Sequence, residues 1–359
     1  MKNIRYYITG HGLGHASRSC QVINTLRRRH PEVAVDVVSD AHPWFFRGFL
    51  DPSVPVRGAG LDFGVLQSDS LRMQEEETLR AYRQFLPERQ RRVAQEAAAL
   101  QRDGISLVVA DIPPAAFAAA RAAGLPSVGI TNFTWDWIYE GLAERYPGYN
   151  DVLDSMRTDY AGADLLLRLP FAGPMPACRQ MEDLPLVARR ANRPAAAVRD
   201  DLGIPAGKKL ALLSFGGFGL ADYDFTALAR LPGWIFLAEG ELVGAAPNLR
   251  PLPAGVHYPD LVQAADVVIT KPGYGIVAEA IAHDRPVLYT PRGDFREQAL
   301  LVAGLHRYTR ARQISNERLR RGELGEELAR LLAQPEAAEQ LAAGGDLVAA
   351  ERLAALLAD

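Results

Sequence analysis

Two histidines lie within a turn of three glycines near the start of this 359-residue chain. Residues 10–18 (GHGLGHASR) follow an apolar run at residues 4–8 and precede apolar residues at helical spacing. This order predicts a strand, a turn and a helix. The N–H groups and partial positive charge of the helix N-terminus suit an anion, and Gly12 and Gly14 let a ligand approach the backbone. His11 and His15 place a proton acceptor beside that ligand.

This turn differs at one position from the fingerprint of dinucleotide-binding proteins. The fingerprint has glycine at the first, third and sixth positions and an acidic residue after the next strand. Gly10, Gly12 and Asp40 fit, but the sixth position is His15. A side chain there obstructs the close approach of helix and strand that the third glycine permits. We therefore expect no nicotinamide or flavin cofactor.

The composition is that of an ordinary globular protein, with 48% hydrophobic residues, 23% charged residues and a formal charge of −3. Such a charge implies no nucleic-acid partner. The sequence shows no signal segment and no apolar run as long as a membrane span, so we expect a cytoplasmic protein. Its two cysteines form no metal pattern, and without an Asp-x-Asp motif or a histidine cluster we expect no metal. Nothing in the sequence indicates an oligomeric state.

Short apolar runs alternate with helical patterns along the chain, which predicts an α/β fold with parallel sheets. The alternation stops in a segment rich in Pro, Gly and Arg and then restarts. We expect a first Rossmann-like domain at 1–170, a linker region at 171–205 of which part can form a strand, a second Rossmann-like domain at 206–340, and a C-terminal helix at 341–359. The Ala/Leu/Glu-rich tail from about residue 317 onward is predicted to be helical. Two such domains would face one another across a ligand cleft.

The second domain has glycine turns of its own. Gly216 and Gly217 follow a predicted strand at 209–214, and their turn is expected to face phosphates or an acceptor, or simply to join strand and helix. A second turn, with Gly273 and Gly275, follows a strand at 267–270 and opens a helix. Such a turn is an anion site.

Three groups of segments carry a family resemblance: residues 9–18, residues 131–139, and residues 258–261 with 271–280. They resemble glycosyltransferases of the two-domain GT-B architecture, such as the peptidoglycan N-acetylglucosaminyltransferase and plant small-molecule glucosyltransferases. More closely, the chain resembles the glycosyltransferase-like N-terminal region of plant L-arabinokinase and its free-standing bacterial relatives. The resemblance implies a GT-B fold, with the acceptor on the first domain and a nucleotide sugar on the second.

The resemblance also implies the residues that hold the donor. Glu279, one turn into the helix, corresponds to the glutamate that binds the ribose hydroxyls, and Glu297 and Gln298 correspond to the pair that contacts the donor sugar. The other expected donor contacts are Gly12, Gly14, Arg18, Gly216, Gly217, Tyr258, Lys271, Gly273, Tyr274 and Gly275. Arg18 or Lys271, with the helix dipoles, would take the place of a metal. The plainer alternatives are an exposed helix carboxylate for Glu279, a surface lysine for Lys271, and an ordinary helix start at 297–298, where the dipole favours an acid such as Glu297. Pro272 departs from the small polar residue usual in the family.

For catalysis the resemblance pairs His15, as the base, with Asp111 at the end of the strand 106–111. The aspartate would fix the imidazole tautomer and stabilise its cation. His11 could exchange roles with His15. The alternative is that both histidines only cap and pack the turn.

An aromatic segment, residues 132–139, adjoins the end of another predicted strand. Aromatic faces stack on sugars, and carboxylates accept hydrogen bonds from hydroxyls, so Asn132, Phe133, Trp135 and Asp136 are acceptor-binding candidates with His11. Packing at a domain edge explains the same residues equally well.

Together these patterns favour an inverting, metal-independent glycosyltransferase that moves a sugar from a nucleotide sugar, with a uridine diphosphate sugar favoured, to a small-molecule acceptor. A nucleotide-sugar epimerase or hydrolase on the same fold is one alternative. A non-catalytic sensor of sugar nucleotides is another.

Overall fold

The computed structural model describes residues 2–62, 64–66, 73–216, 223–239, 246–253, 255–291 and 293–358. Within them the chain forms two parallel β-sheets. Both faces of the first sheet are buried, as its first strand shows: Tyr6 packs into one apolar cluster and Tyr7 into another, and neither side chain is exposed. Burial on both faces explains the continuous apolar runs of its strands.

The first sheet has the strand order β3-β2-β1-β4-β5-β6-β7. Its strands are β1 (Lys2–Ile8), β2 (Val33–Ser39), β3 (Val56–Arg57), β4 (Leu107–Asp111), β5 (Ser127–Thr131), β6 (Leu165–Arg168) and β7 (Met181–Asp183). The helices between them are α1 (Gly14–Arg29), α2 (Pro43–Phe49), α3 (Glu75–Arg102), α4 (Pro114–Ala123), α5 (Trp135–Arg145) and α6 (Asn150–Tyr160). The strand predicted at 106–111 is confirmed as β4.

The second sheet has the order β10-β9-β8-β11-β12-β13. Its strands are β8 (Lys209–Ser214), β9 (Trp234–Ala238), β10 (Leu249–Pro251), β11 (Val267–Thr270), β12 (Val287–Tyr289) and β13 (Ala311–Gln313). The helices are α7 (Ala195–Asp201), a 3-10 helix (Phe225–Arg230), α8 (Tyr258–Ala264), α9 (Tyr274–Ala282), α10 (Glu297–Tyr308), α11 (Asn316–Arg320), α12 (Gly325–Leu332) and α13 (Gly345–Leu356).

In each sheet the strand order changes direction once, and ligands of such sheets bind beside that reversal point. The chain runs outward from β1 through β2 to β3 and then returns to β4 on the other side of β1. The second sheet reverses in the same way between β8 and β11. Ligands of open parallel sheets bind at the carboxyl ends of the strands beside such a reversal. The glycine–histidine turn follows β1, and the turn containing Gly273 follows β11.

The segments between and after the sheets also hold the domains together. Within residues 171–205, β7 pairs with β6 and so belongs to the first sheet. The tail is not one helix, because Gly322 (φ 64°) and Gly344 (φ 92°) adopt left-handed conformations that divide it into α11, α12 and α13. Helix α13 packs on α1, where Asp346 accepts hydrogen bonds from Gln21 Nε2 (2.8 Å) and Thr25 Oγ1 (2.7 Å). In the described part of the chain, no helix combines the length and the apolar character needed to cross a bilayer.

Candidate active site

A cleft of about 260 Å³ lies between the carboxyl ends of the two sheets. Because the turns after β1, β8 and β11 all open into it, it gathers residues from distant parts of the chain. Fourteen of the residues singled out from the sequence line it: His11, Gly12, Gly14, His15, Arg18, Phe133, Gly216, Tyr258, Lys271, Gly273, Tyr274, Gly275, Glu279 and Glu297. Gly217 falls outside the described residues.

His15 and Asp111 meet at the reversal point of the first sheet. The imidazole Nδ1 lies 2.8 Å from Asp111 Oδ1. His15 is in the first turn of α1, after β1, and Asp111 is the last residue of β4, the strand that pairs with β1. The carboxyl ends of two adjacent parallel strands thus bring together side chains 96 positions apart.

Arg18 is the third member of this group. Its Nε and Nη2 atoms donate to the two oxygens of Asp111, at 2.6 and 2.7 Å. The side chain is 3% exposed, and its guanidinium carbon lies 4.6 Å from the centroid of the Tyr274 ring. Although Arg18 borders the cleft, its charge is therefore directed at Asp111. Arg18 was expected at a donor diphosphate; in the structure its guanidinium pairs with a carboxylate, because α1 turns its side chain toward β4.

This arrangement determines the state of Asp111 and the tautomer of His15. Complete burial favours the neutral carboxyl of Asp111. The charges of Arg18 and His15, together with the hydrogen bonds that both side chains donate, outweigh this effect and lower the pKa of Asp111 below its usual value. An ionised Asp111 only accepts hydrogen bonds, so Nδ1 of His15 must donate. Nη2 of Arg18, although 2.9 Å from that nitrogen, then donates to Asp111. Nε2 is left as the basic nitrogen of the ring.

Asn132 connects this group to the second domain. Its Oδ1 accepts from Arg18 Nη1 at 2.6 Å, and its Nδ2 donates to Glu297 Oε1 at 2.8 Å. Arginine can only donate and a carboxylate can only accept, so the amide has one possible orientation. Glu297 itself borders the cleft at the start of α10. Gln298 follows it, half-buried, outside the set of described residues that line the cleft.

The aromatic segment supports the histidines rather than forming the cleft surface. Trp135 is buried, and its ring centroid lies 5.2 Å from that of His11 and 6.1 Å from that of His15. Asp136 is also buried, with Arg157 Nε at 3.8 Å. Among the described residues of this segment only Phe133 lines the cleft. Asn132, Trp135 and Asp136 were expected to contact an acceptor, but their positions behind the lining make them supports of it.

On the opposite wall, helix α9 points its N-terminus into the cleft. A Cβ atom built on Gly14 would lie 3.6 Å from the backbone nitrogen of Gly275, so the starts of α1 and α9 are in contact across the cleft. Lys271 and Gly273 form the turn that precedes α9. The N–H groups of that first turn and the lysine are the features that an anionic ligand requires.

Glu279 is buried and forms an ion pair that the sequence did not indicate. Its Oε1 accepts from Arg189 Nε at 2.6 Å, and the Arg189 guanidinium lies 4.2 Å from the ring centroid of Phe49. Arg189 therefore contacts α9 of the second domain and α2 of the first. Tyr258, also expected near the donor, donates to Ser214 Oγ at 2.6 Å at the end of β8.

Helix α2 contributes an aromatic wall of the cleft, formed by Trp44, Phe45 and Phe49. None of these residues, nor Arg189, was predicted to line the site. The aromatic cluster at residues 44–46 was visible in the sequence, whereas Arg189 lies in an irregular segment whose local pattern carries no signal.

A further buried carboxyl, Asp62, lies beside the His15–Asp111 pair. Thr9 Oγ1 donates to it at 2.8 Å, and the backbone nitrogen of Thr9 donates to the carbonyl oxygen of Asp111. Burial raises the pKa of Asp62 to about 7, although the hydrogen bond from Thr9 opposes the shift.

This shift makes stability depend on pH. The folded protein keeps the Asp62 proton up to about pH 7, whereas an unfolded chain releases it near pH ~4. Stability therefore falls as pH rises through that window. Asp62→Asn should raise the free energy of unfolding at pH 8 by about 2–4 kcal/mol and change it little at pH 4.

Thermal or urea unfolding of the variant at both pH values tests this prediction. Asp154→Asn, at an exposed carboxylate on α6, is the control and should have no such pH-dependent effect. An equal effect of Asp62→Asn at pH 4 and pH 8 would contradict it.

Comparison with known proteins agrees with the observed fold. Residues 2–137 match the family model described as glycosyl transferase family 1. Over 302 residues the chain is 33% identical to L-arabinokinase of Arabidopsis thaliana, an alignment that covers 82% of this chain and 29% of that protein. The chain thus spans less than a third of the length of this curated relative.

Solved structures show the same fold along the whole chain. The glycotransferase of kitacinnamycin superposes with a TM-score of 0.63 at 20% identity, covering 99% of this chain and 94% of that one. UGT2 of Phytolacca americana, complexed with UDP-2-fluoroglucose and pterostilbene, superposes with a TM-score of 0.63 at 12% identity, covering 100% and 94%. The chain therefore has the GT-B fold of these glycosyltransferase structures, and its residues 2–137 match glycosyl transferase family 1.

Proposed function

We propose that this protein is an inverting, metal-independent glycosyltransferase that moves a sugar from a nucleoside diphosphate sugar, with uridine as the favoured base, to a hydroxyl of a small acceptor. One observation carries the proposal: His15, held by Asp111 in the first domain, and the N-terminus of α9 in the second domain line the same cleft. A base and an anion site then flank the space where a donor sugar would lie. The nucleotide ligand of the Phytolacca americana structure supports the choice of donor.

In the proposed reaction the acceptor hydroxyl gives its proton to Nε2 of His15. Its oxygen attacks the anomeric carbon, the bond from that carbon to the diphosphate oxygen breaks, and the nucleoside diphosphate leaves with the electron pair. Because attack and departure occur on opposite faces, the configuration inverts. The N–H groups at the start of α9 and Lys271 would stabilise the charge on the leaving group, which is the role that a metal has in other transferases.

A panel of nucleoside diphosphate sugars, each with and without a set of hydroxyl acceptors, tests the proposal. We expect nucleoside diphosphate to appear only with an acceptor, the product to have the inverted configuration, and EDTA to have no effect. Formation of a sugar isomer or of free sugar without acceptor would instead identify an epimerase or a hydrolase. Nucleotide-sugar binding without turnover would identify a sensor.

Glu279 is expected to bind the ribose of the nucleotide. Glu279→Ala should weaken binding of uridine diphosphate by about 1.5–3 kcal/mol, the range for a lost hydrogen bond to a charged group. The unchanged protein should bind 2′-deoxyuridine diphosphate more weakly, and the two losses should not add, because they remove the same interaction. Isothermal titration calorimetry measures both.

Glu327→Ala is the matched control for this experiment. Glu327 is a buried helix carboxylate of the same domain, ion-paired with Arg312 and Arg318 on the side of α12. Its removal should leave nucleotide affinity unchanged. Equal affinities of Glu279→Ala and the unchanged protein for uridine diphosphate would contradict the assignment of Glu279 to the ribose.

A further inference from the structure

A continuous chain of buried polar side chains joins the two domains beside the cleft. It runs from His15 through Asp111, Arg18 and Asn132 to Glu297, and each link is a hydrogen bond of 2.6 to 2.8 Å. None of the five residues is more than 6% exposed. The first four belong to the first domain and Glu297 belongs to the second.

The charges along this chain do not balance within the first domain. Arg18 contacts both oxygens of Asp111, so their opposite charges cancel and Asp111 alone offers little net attraction to a proton on His15. Asn132 carries no charge. Glu297 brings a second carboxylate, whose field acts on Arg18. One guanidinium against two carboxylates leaves the cluster one negative charge, which a proton on His15 neutralises.

We propose that Glu297 is a positioning residue for the His15–Asp111 pair. Arg18 cancels the negative charge of Asp111, and the carboxylate of Glu297 replaces that charge. A proton on His15 is then favoured when the second domain contacts the first. If the domains separate, the hydrogen bond between Asn132 and Glu297 breaks and this charge leaves the cluster. The catalytic consequence, a base that is competent only in the closed protein, rests on the proposed function of His15.

Several other groups face His15, and the experiment must separate them from Glu297. His11 lies on the glycine turn, Tyr274 stacks on Arg18 from α9, and Lys271 and Glu279 line the same cleft. Asp62 lies behind Thr9, and its charge acts on Asp111 in the same low-dielectric region. Glu297 differs from these groups because side-chain hydrogen bonds through Asn132 and Arg18 join it to the carboxylate of Asp111, whereas Asp62 is linked through Thr9 to the backbone carbonyl of Asp111.

The test is an NMR titration of the His15 ring in the full chain labelled with ¹⁵N-histidine, without substrate, using His15→Ala to assign the signal. Glu297→Gln keeps an oxygen that accepts from Asn132 but removes the charge. We expect the midpoint of the His15 titration to move to lower pH by about 0.5–1 unit, a 3–10-fold lower proton affinity. Repeating the titration in the Asp62→Asn background removes the contribution of that carboxyl.

Two further variants make the result specific. Glu144→Gln removes a carboxylate that also pairs across the domains, with Arg296, but lies outside the chain; it should leave the midpoint unchanged. Asn132→Asp combined with Glu297→Gln restores one carboxylate to the chain, next to Arg18, and should return the midpoint toward that of the unchanged protein; this double variant tests the inference even if Glu297→Gln alone fails to fold.

An unshifted midpoint in folded Glu297→Gln, or a midpoint of the double variant well below that of the unchanged protein, would overturn the inference. Its failure is distinguishable from failure of the proposed function. An unshifted titration together with an inactive His15→Ala protein would refute only the role of Glu297. Full turnover by His15→Ala would refute the base, whatever the titration shows.

Discussion

Replacing His15 by alanine should reduce turnover by about 10²–10⁴-fold, the usual contribution of a general base, while binding of the nucleotide donor stays nearly unchanged. The reason is that the base acts on the acceptor proton and mainly in the transition state, whereas the donor is expected on the opposite wall of the cleft. Steady-state kinetics with a saturating acceptor, together with calorimetry for uridine diphosphate, measures the two quantities separately.

His11→Ala is the informative control, since the sequence leaves open which histidine is the base. His15 contacts Asp111, whereas Nδ1 of His11 accepts from the backbone nitrogen of Val65 at 3.4 Å. We therefore expect a much smaller loss in His11→Ala. Asp111→Asn should lose less activity than His15→Ala, because it disturbs the imidazole tautomer without removing the ring. A His15→Ala protein as active as the unchanged enzyme would leave both histidines with a packing role.

Removing Arg18 should produce the largest loss of stability. Arg18→Met is expected to lower the free energy of unfolding by about 3–5 kcal/mol, because it leaves Asp111 ionised, buried and without its cation. The double variant with Asp111→Asn should recover most of the loss, since it removes the uncompensated charge. Urea denaturation followed by circular dichroism gives the three values.

Arg29→Met is the matched control on the same helix. Arg29 pairs with Glu351 but is more than half exposed, and an exposed pair contributes at most about 1 kcal/mol. A loss in Arg18→Met as small as that in Arg29→Met would show that the buried ion pair does not stabilise the fold. An equally unstable double variant would assign the loss to packing of the arginine side chain instead.

The fold could be predicted because its signals are local. Apolar runs of strand length, glycine turns after residues 8 and 270 and helical periodicity behind them each depend on a few neighbouring residues. The two rounds of strand and helix then imply two parallel sheets and a cleft at their carboxyl ends. The order of strands within each sheet, and the breaks in the C-terminal tail at Gly322 and Gly344, were not determined by these patterns.

Positions around the cleft were predicted well where a backbone turn sets them. The residues of the glycine turns, and Glu279 one helical turn further, line the cleft because a turn at the carboxyl end of a strand can project nowhere else. Trp135 and Asp136 were misjudged because α5 starts at Trp135 and directs both side chains into the core, and a one-dimensional pattern does not distinguish an aromatic residue behind a wall from one on its surface.

By itself the sequence determined where a candidate proton acceptor and a candidate anion site lie along the chain, since each depends on one turn and the helix behind it. The tertiary structure alone decided how those groups are charged. Arg18 is bonded to Asp111 and Asn132, which lie 93 and 114 positions away in the sequence. Asn132 is bonded to Glu297, 165 positions away, and Arg189 to Glu279, 90 positions away. Buried ionic groups require partners wherever the fold supplies them, and the fold supplies them from distant strand ends and from the other domain. The charge around His15 is therefore a property of the assembled cleft.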